Sequence, residues 1–211
     1  MAPTEENQSA AMFLQSALII NGLDSSVLSE RYVEMMRSVG VDCCHLSLDG
    51  TGLSGFSEIH EFVYEHSDEV LLVKCIQDIF KANKEEKLGI IAGWQSSNDL
   101  SNGRHGENDW WSVKPQTQLR AYKELGLRVC GIAYQIANVF GGGAIDGHIG
   151  LSKAGRRLVE EIHRLNIVLD VGGHTGDKAS MDALEISEGV RVKVQRHTIG
   201  ALMPKGTIKK G

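Results

Sequence analysis

Proline is scarce in this sequence, at 3 of 211 residues, and cysteine is sparse and scattered, at 4. So little proline excludes the collagen-like and proline-rich disordered classes. Cys43, Cys44, Cys75 and Cys130 form no CxxC pair, and each sits in or beside an apolar run. They read as reduced thiols in the core of an intracellular protein. No apolar run approaches the ~20 residues that cross a bilayer. The N-terminus, MAPTEENQSAAMFLQSALII, starts acidic and its apolar part is broken by Gln15 and Ser16, unlike a secretory signal. A soluble, cytoplasmic chain is expected. An excess of one charge is also lacking: 22 basic against 27 acidic residues leave a net charge of −5. Nucleic acid and anionic lipid are therefore not expected partners.

What is present is a packed-domain composition, with 42% apolar and 23% charged residues. Short apolar runs alternate with longer segments of helical period, the pattern of βα units around a parallel sheet. Strands are predicted at 17–20, 42–48, 70–73, 88–92, 128–133, 166–171 and 191–194. Helices are predicted from Ser26 to Val39 and from Ser152 to Leu165, with Ser152 as an N-cap. The polar stretch 96–115 is long for a loop and then abruptly aromatic, either a lid or an insertion. A second, glycine-rich loop spans 140–150. Both leave the C-terminal ends of predicted strands, where a βα barrel builds its site.

The stretch GIAYQIANVFGGG, followed by GLSKAGRRLVEEIHRLNIVLDVGGH, resembles the membrane (renal) dipeptidase family, as do QLRAYKELGLRV at 118–129 and IINGLDS at 19–25. The resemblance covers roughly residues 17–203. It implies an α/β fold, a (β/α)8 TIM-barrel-type architecture incomplete at its C-terminal end. Residues 1–16 would be an extension and 204–211 a tail. It further implies a zinc metallopeptidase, a dipeptidase-type hydrolase in which paired metals activate water and polarise the scissile carbonyl of a dipeptide or small amide.

Carried over position by position, the implied site is depleted. Where the family has the His and final Asp of its first strand, this chain has Leu23 and Ser25, and Leu cannot ligate zinc. Gln95 stands at the bridging carboxylate. The pattern resembles a branch of the family with Gly-Leu-Asn-Val-Ser and Gly-Phe-Gln at these places. The resemblance leaves His174 and His197 as metal ligands on one rim, with zinc at one ion at most. Tyr134 and Asn138 would orient a dipeptide-like substrate, with Gln95 at the edge of the site.

Set beside these are plainer readings. The other six histidines have no partner at ligand spacing and read as surface or satisfied core residues. Gly141 to Gly143 match neither GxGxxG nor a Walker pattern, so phosphate binding is not expected. Trp94, Trp110 and Trp111 line a pocket mouth or, the favoured reading, anchor the long loop. Seven predicted strands fall short of eight, and an unclosed barrel exposes sheet edges. The expectation is a truncated chain or one that covers those edges by self-association. The alternative to a weak hydrolase is a non-catalytic remnant that binds a small ligand or a protein partner.

Overall fold

The computed structural model describes residues 17–101 and 115–186. Residues 1–16, the strand predicted at 191–194, the tail, Trp110, Trp111 and His197 lie outside them. Within them, strands β1 (Ile20–Asp24), β2 (Cys43–Ser47), β3 (Val70–Leu72), β4 (Leu88–Trp94), β5 (Leu127–Gly131) and β6 (Val168–Asp170) form one sheet. Its order is β1-β2-β4-β5-β6, with β3 beside β4 and off that path. Every strand pairing is parallel. The helices are α1 (Glu30–Ser38), α2 (Gly52–Glu65), α3 (Ile76–Lys84), α4 (Pro115–Leu125), α5 (Lys153–Arg164) and α6 (Asp177–Ile186). This is the parallel βα sheet that the alternation predicts, in the half-barrel form that the family resemblance implies.

The sheet has two unlike faces, and the register defines them, because paired residues of parallel strands point the same way. Cys44 pairs with Ile90 and Leu46 with Ala92, while Trp94 pairs with Cys130 and Cys130 with Leu169. These residues belong to the core shared with Tyr32 and Val33 of α1, Phe56 and Ile59 of α2, and Leu158 and Ile162 of α5. This outer face is covered by helices. Trp94 anchors it, 5.9 Å edge-on to Phe56 and 4.6 Å from Tyr122 of α4, ring centre to ring centre. Trp94 thus belongs to the core, on the helix side of the sheet.

The opposite, concave face carries Cys43, His45 and Ser47 of β2 opposite Gly89, Ile91 and Gly93 of β4. Glycine is required here by space. A Cβ on Gly89 would collide with Cys43 Sγ, and one on Gly93 with the His45 imidazole. The Gly89 position also faces Val73 and Ala82, so α3 packs against the concave face near the start of β4. The short β3 pairs with Leu88–Ile90 at the start of β4 and delivers that helix.

Local chemistry sets the helix ends. Ser152 caps α5 as predicted, its Oγ accepting from Gly155 N at 3.0 Å. α1 begins later than predicted, because Ser29, rather than Ser26, caps it by accepting from Tyr32 N at 3.3 Å. Ser26 instead donates its N–H to Asp24 Oδ1 at 2.8 Å, in the turn that closes β1. α5 ends on Asn166 at φ 53°, left-handed backbone that Asn tolerates better than most residues. α4 and α5 are joined through Glu161, which is 7% exposed and accepts from Arg120 and Arg164 at 2.6–2.7 Å. The Arg164 hydrogen bonds, with those from Arg120, hold its carboxyl at about 2 against an ordinary 4.5.

Candidate active-site rim

The C-terminal strand ends form a polar rim organised by Asp49, just past β2. Its carboxylate accepts from Gln95 N at 2.6 Å, Ser96 N at 2.8 Å, Ser96 Oγ at 2.9 Å and Ser47 Oγ at 2.6 Å. Charge-assisted bonds of this kind are the strong ones, so the β2 and β4 ends are tied together. Gln95 completes the link, its Nε2 donating to Ser47 Oγ at 3.0 Å. Gln95 therefore lies at a strand end on the concave side, since Ser47 pairs with Gly93 on that face. Ser97 continues the seam to β5, with its Oγ donating to Gly131 O at 2.5 Å. Asp49 was not singled out in the sequence; an Asp-Gly turn directly after a strand was the available signal.

Asp99 faces the same turn and accepts from Gly50 N at 3.1 Å. Burial pushes its carboxyl up, and the neighbouring Asp49 charge adds to this against the Gly50 hydrogen bond.

Across the rim, Tyr134 follows β5 and His174 follows β6, and their rings stack with centres 3.8 Å apart and planes 25° from parallel. Both are half-buried. Their loops are fastened to each other: Thr175 Oγ1 donates to Ala133 O at 3.2 Å, and Gly143 bridges Thr175. Asp170 ends β6 on the concave face, paired with Gly131, and accepts from Gly172 N at 2.9 Å. Gly172 and Gly173 after Val171 make this turn, whose next step is a His174 N–H bonded to Gly172 O at 2.8 Å.

The remaining candidates are placed differently. Asn138 is spent within its loop. Its Oδ1 accepts from Phe140 N and Gly141 N, and its Nδ2 donates to Ile132 O at 2.8 Å and Asn98 Oδ1 at 2.9 Å. These bonds engage both ends of the amide and shape the loop that follows Tyr134. Leu23 in β1 is 42% exposed. Asp24 points the other way, toward α1, accepting from Tyr32 Oη at 3.0 Å. Partial burial opposes the Asp24 charge, but hydrogen bonds from Ser26, Tyr32 and Asn21 outweigh it and hold its carboxyl below the usual range. Ser25 lies past β1 and borders a groove against α2.

His45 departs from expectation. It is 4% exposed on the concave face, and Nδ1 donates to Gly22 O at 2.7 Å. Its buried Nε2 has no hydrogen-bond partner among the described residues. The imidazole is thus half satisfied, wedged between β1 and Gly93.

These residues do not fit a two-zinc centre. Among the described residues no three or more His, Cys, Asp or Glu gather where they could hold a metal ion. Leu23 offers no donor and the Gln95 amide no charge. His174 is the one predicted ligand within the described residues.

The family profile of the membrane dipeptidases (peptidase family M19) matches residues 49–189. An uncharacterized dipeptidase of Schizosaccharomyces pombe is 39% identical over 72 residues, 33% of this chain and 17% of that protein. The dipeptidase tcpJ of Claviceps purpurea is 26% identical over 125 residues, 58% of this chain and 26% of that protein. Among solved structures, an amidohydrolase from Pseudomonas aeruginosa superposes with a TM-score of 0.73 at 25% identity, covering 84% of this chain and 52% of its own. The chain spans about half of that structure, and the stretches it shares with the two curated relatives are about a quarter of their length or less. With the profile matched over most of the described sheet, this chain belongs to the membrane dipeptidase family, peptidase family M19.

Proposed function

We propose that this chain is a dipeptidase-type hydrolase by descent whose rim receives a dipeptide or similarly small amide between Gln95 and the Tyr134–His174 pair, and whose own turnover is weak. The observation that carries this reading is the stacked Tyr134–His174 pair, fixed at the ends of adjacent strands on the rim that Asp49 organises. The Tyr134 hydroxyl donates to the substrate carbonyl, and Gln95 offers a neutral amide to a neighbouring polar group. His174 holds the Tyr134 ring in place by stacking. Because the donor set does not fit paired zinc ions, no step is routed through metal; His174, with His197, would hold one ion at most. Weak turnover follows from charge. A rim with Leu23, Ser25 and Gln95 offers few preorganised charges to a developing oxyanion.

A second reading, binding without turnover, is favoured by the same depleted donor set. One experiment separates them. The chain is incubated with a panel of dipeptides, with and without excess zinc, alongside a His174→Ala, His197→Ala double variant, while binding is followed by calorimetry. The expected result is dipeptide binding that weakens about tenfold in Tyr134→Phe, the loss of one hydrogen bond, with turnover a small fraction of that of a complete family enzyme. Zinc-dependent turnover abolished in the double variant would establish a one-metal hydrolase. Equal background in both proteins with binding retained would establish the non-catalytic reading. Absence of binding would remove both.

A further inference from the structure

A cavity of about 540 Å³ opens on the concave face, away from the rim, between the start of α3 and the beginnings of β5 and β6. Its size falls within the roughly 300–1,000 Å³ of small-molecule pockets. Its walls are apolar: Val73 leads into α3, and Ile91, Val129 and Val168 come from the strands. Val168 is 61% exposed, so this surface is open to a ligand among the described residues.

The charged side chains that line it are cationic, with the Asp78 carboxylate close behind them in the first turn of α3, where it accepts from Lys74 N at 2.8 Å. Lys74, Lys123 and Arg128 line it, and no carboxylate does among the described residues. None of the three forms an ion pair with a described carboxylate. Arg128 is held in place: its Nε donates to Lys74 O at 2.6 Å, and Nη1 donates to Lys123 O and Leu127 O at 2.7 Å. Those bonds go to neutral carbonyls, so they fix the guanidinium without neutralising it. Burial lowers its pKa from the ordinary value, against the nearby Glu124, Cys75 and Asp78, which raise it. In a chain of net charge −5, an apolar cavity rimmed by three cations selects for the opposite charge.

We propose that this cavity is a binding site for an amphiphilic carboxylate, its alkyl or aryl body against Ile91, Val129 and Val168 and its carboxylate between Arg128 and the two lysines. The site is separate from the dipeptide rim, and it stands or falls independently of hydrolysis.

The test uses the full chain and three probes of equal tail length: decanoate, decanol and decyltrimethylammonium, each below its micelle concentration, with binding read by calorimetry. Decanoate is expected to bind at least about tenfold more tightly than the cationic probe, the scale of a partly screened charge pair. The Lys74→Glu, Lys123→Glu double variant should reverse that order. Neither side chain is in the core, and an unchanged melting temperature verifies that the fold is kept. A Val168→Glu variant should weaken decanoate in step. Equal affinity for all three probes, or an order indifferent to the lysine reversals, would overturn the proposal in favour of unspecific apolar contact. Failure of every probe to bind would overturn it outright.

Discussion

The two faces of the sheet follow opposite rules. On the outer face Leu46, Ile90, Trp94 and Cys130 are nearly inaccessible and packed against helices. Burial pushes the Cys130 thiol up to about 12, so it remains a protonated, inert core group. On the concave face the strands present Gly89, Gly93 and Gly131, a half-satisfied His45 and an exposed Val168. Among the described residues a buried nitrogen is unpaired on each face, His45 Nε2 on the concave and Trp94 Nε1 on the outer, so the faces differ in the space the glycines leave rather than in hydrogen bonding. The difference teaches that the outer face carries the fold, while the concave face keeps space that the fold does not need. Its upper end holds the rim and its lower part the cationic cavity.

Substitutions can break or sharpen this contrast. The largest effect is expected at Trp94→Ala on the outer face, which removes a fully buried ring packed on Phe56 and Tyr122. A loss of about 3–5 kcal/mol in urea-melt stability is expected. The matching concave-face change, Gly93→Ala, should cost about 1–3 kcal/mol, because its Cβ meets His45 and Val129. If the two losses were equal, or the order reversed, the faces would not differ as described.

Glu161 gives a smaller, pH-dependent effect. Its folded pKa of about 2 lies below the ordinary 4.5. Its contribution is therefore present above about pH 4.5 and lost as pH falls toward 2. Both arginine partners are more than half exposed, which limits the Glu161→Gln loss near neutral pH to about 1 kcal/mol. The variant should flatten the stability profile between pH 4.5 and 2, read by thermal melts across that range. An unchanged acid slope would show that other carboxylates dominate it.

The smallest effect is expected at Asn166→Gly. The backbone there has φ 53°, which Gly adopts freely, so stability should change by no more than about 0.5 kcal/mol, whereas Asn166→Ala should lose about 1 kcal/mol. Equal melting temperatures for the two variants would show that the left-handed end of α5 carries no strain.

The family resemblance and the alternation of strands and helices were legible because βα periodicity is written in consecutive residues. Ser152 as a cap and the strands ending near Trp94, Gly131 and Asp170 could be read from local pattern. That Asp24 points away from Leu23 follows strand alternation, but its pairing with Leu46 on the outer face follows the register irregularity between Asn21 and Asp24. Other features were not local. That β3 stands off the sheet path depends on which edge of β4 it meets. The commitment of Asn138 depends on carbonyl and amide partners as far away as Asn98, and the role of Asp49 on amides 46 and 47 residues away. The long loop at 96–115 could be placed but not built, since residues 102–114 lie outside those described.

By itself, the sequence determined the parallel α/β class, the family and the absence of a dominant charge, because residue type and short-range period suffice for each. Only the tertiary structure decided that Tyr134 and His174 stack, that Asp49 ties β2 to β4, that Gly93 makes room for His45, and that three cations ring one apolar cavity. The physical reason is distance along the chain. Each of those arrangements joins side chains from different βα units, and which of them meet is set by sheet order and register rather than by any pattern in neighbouring residues.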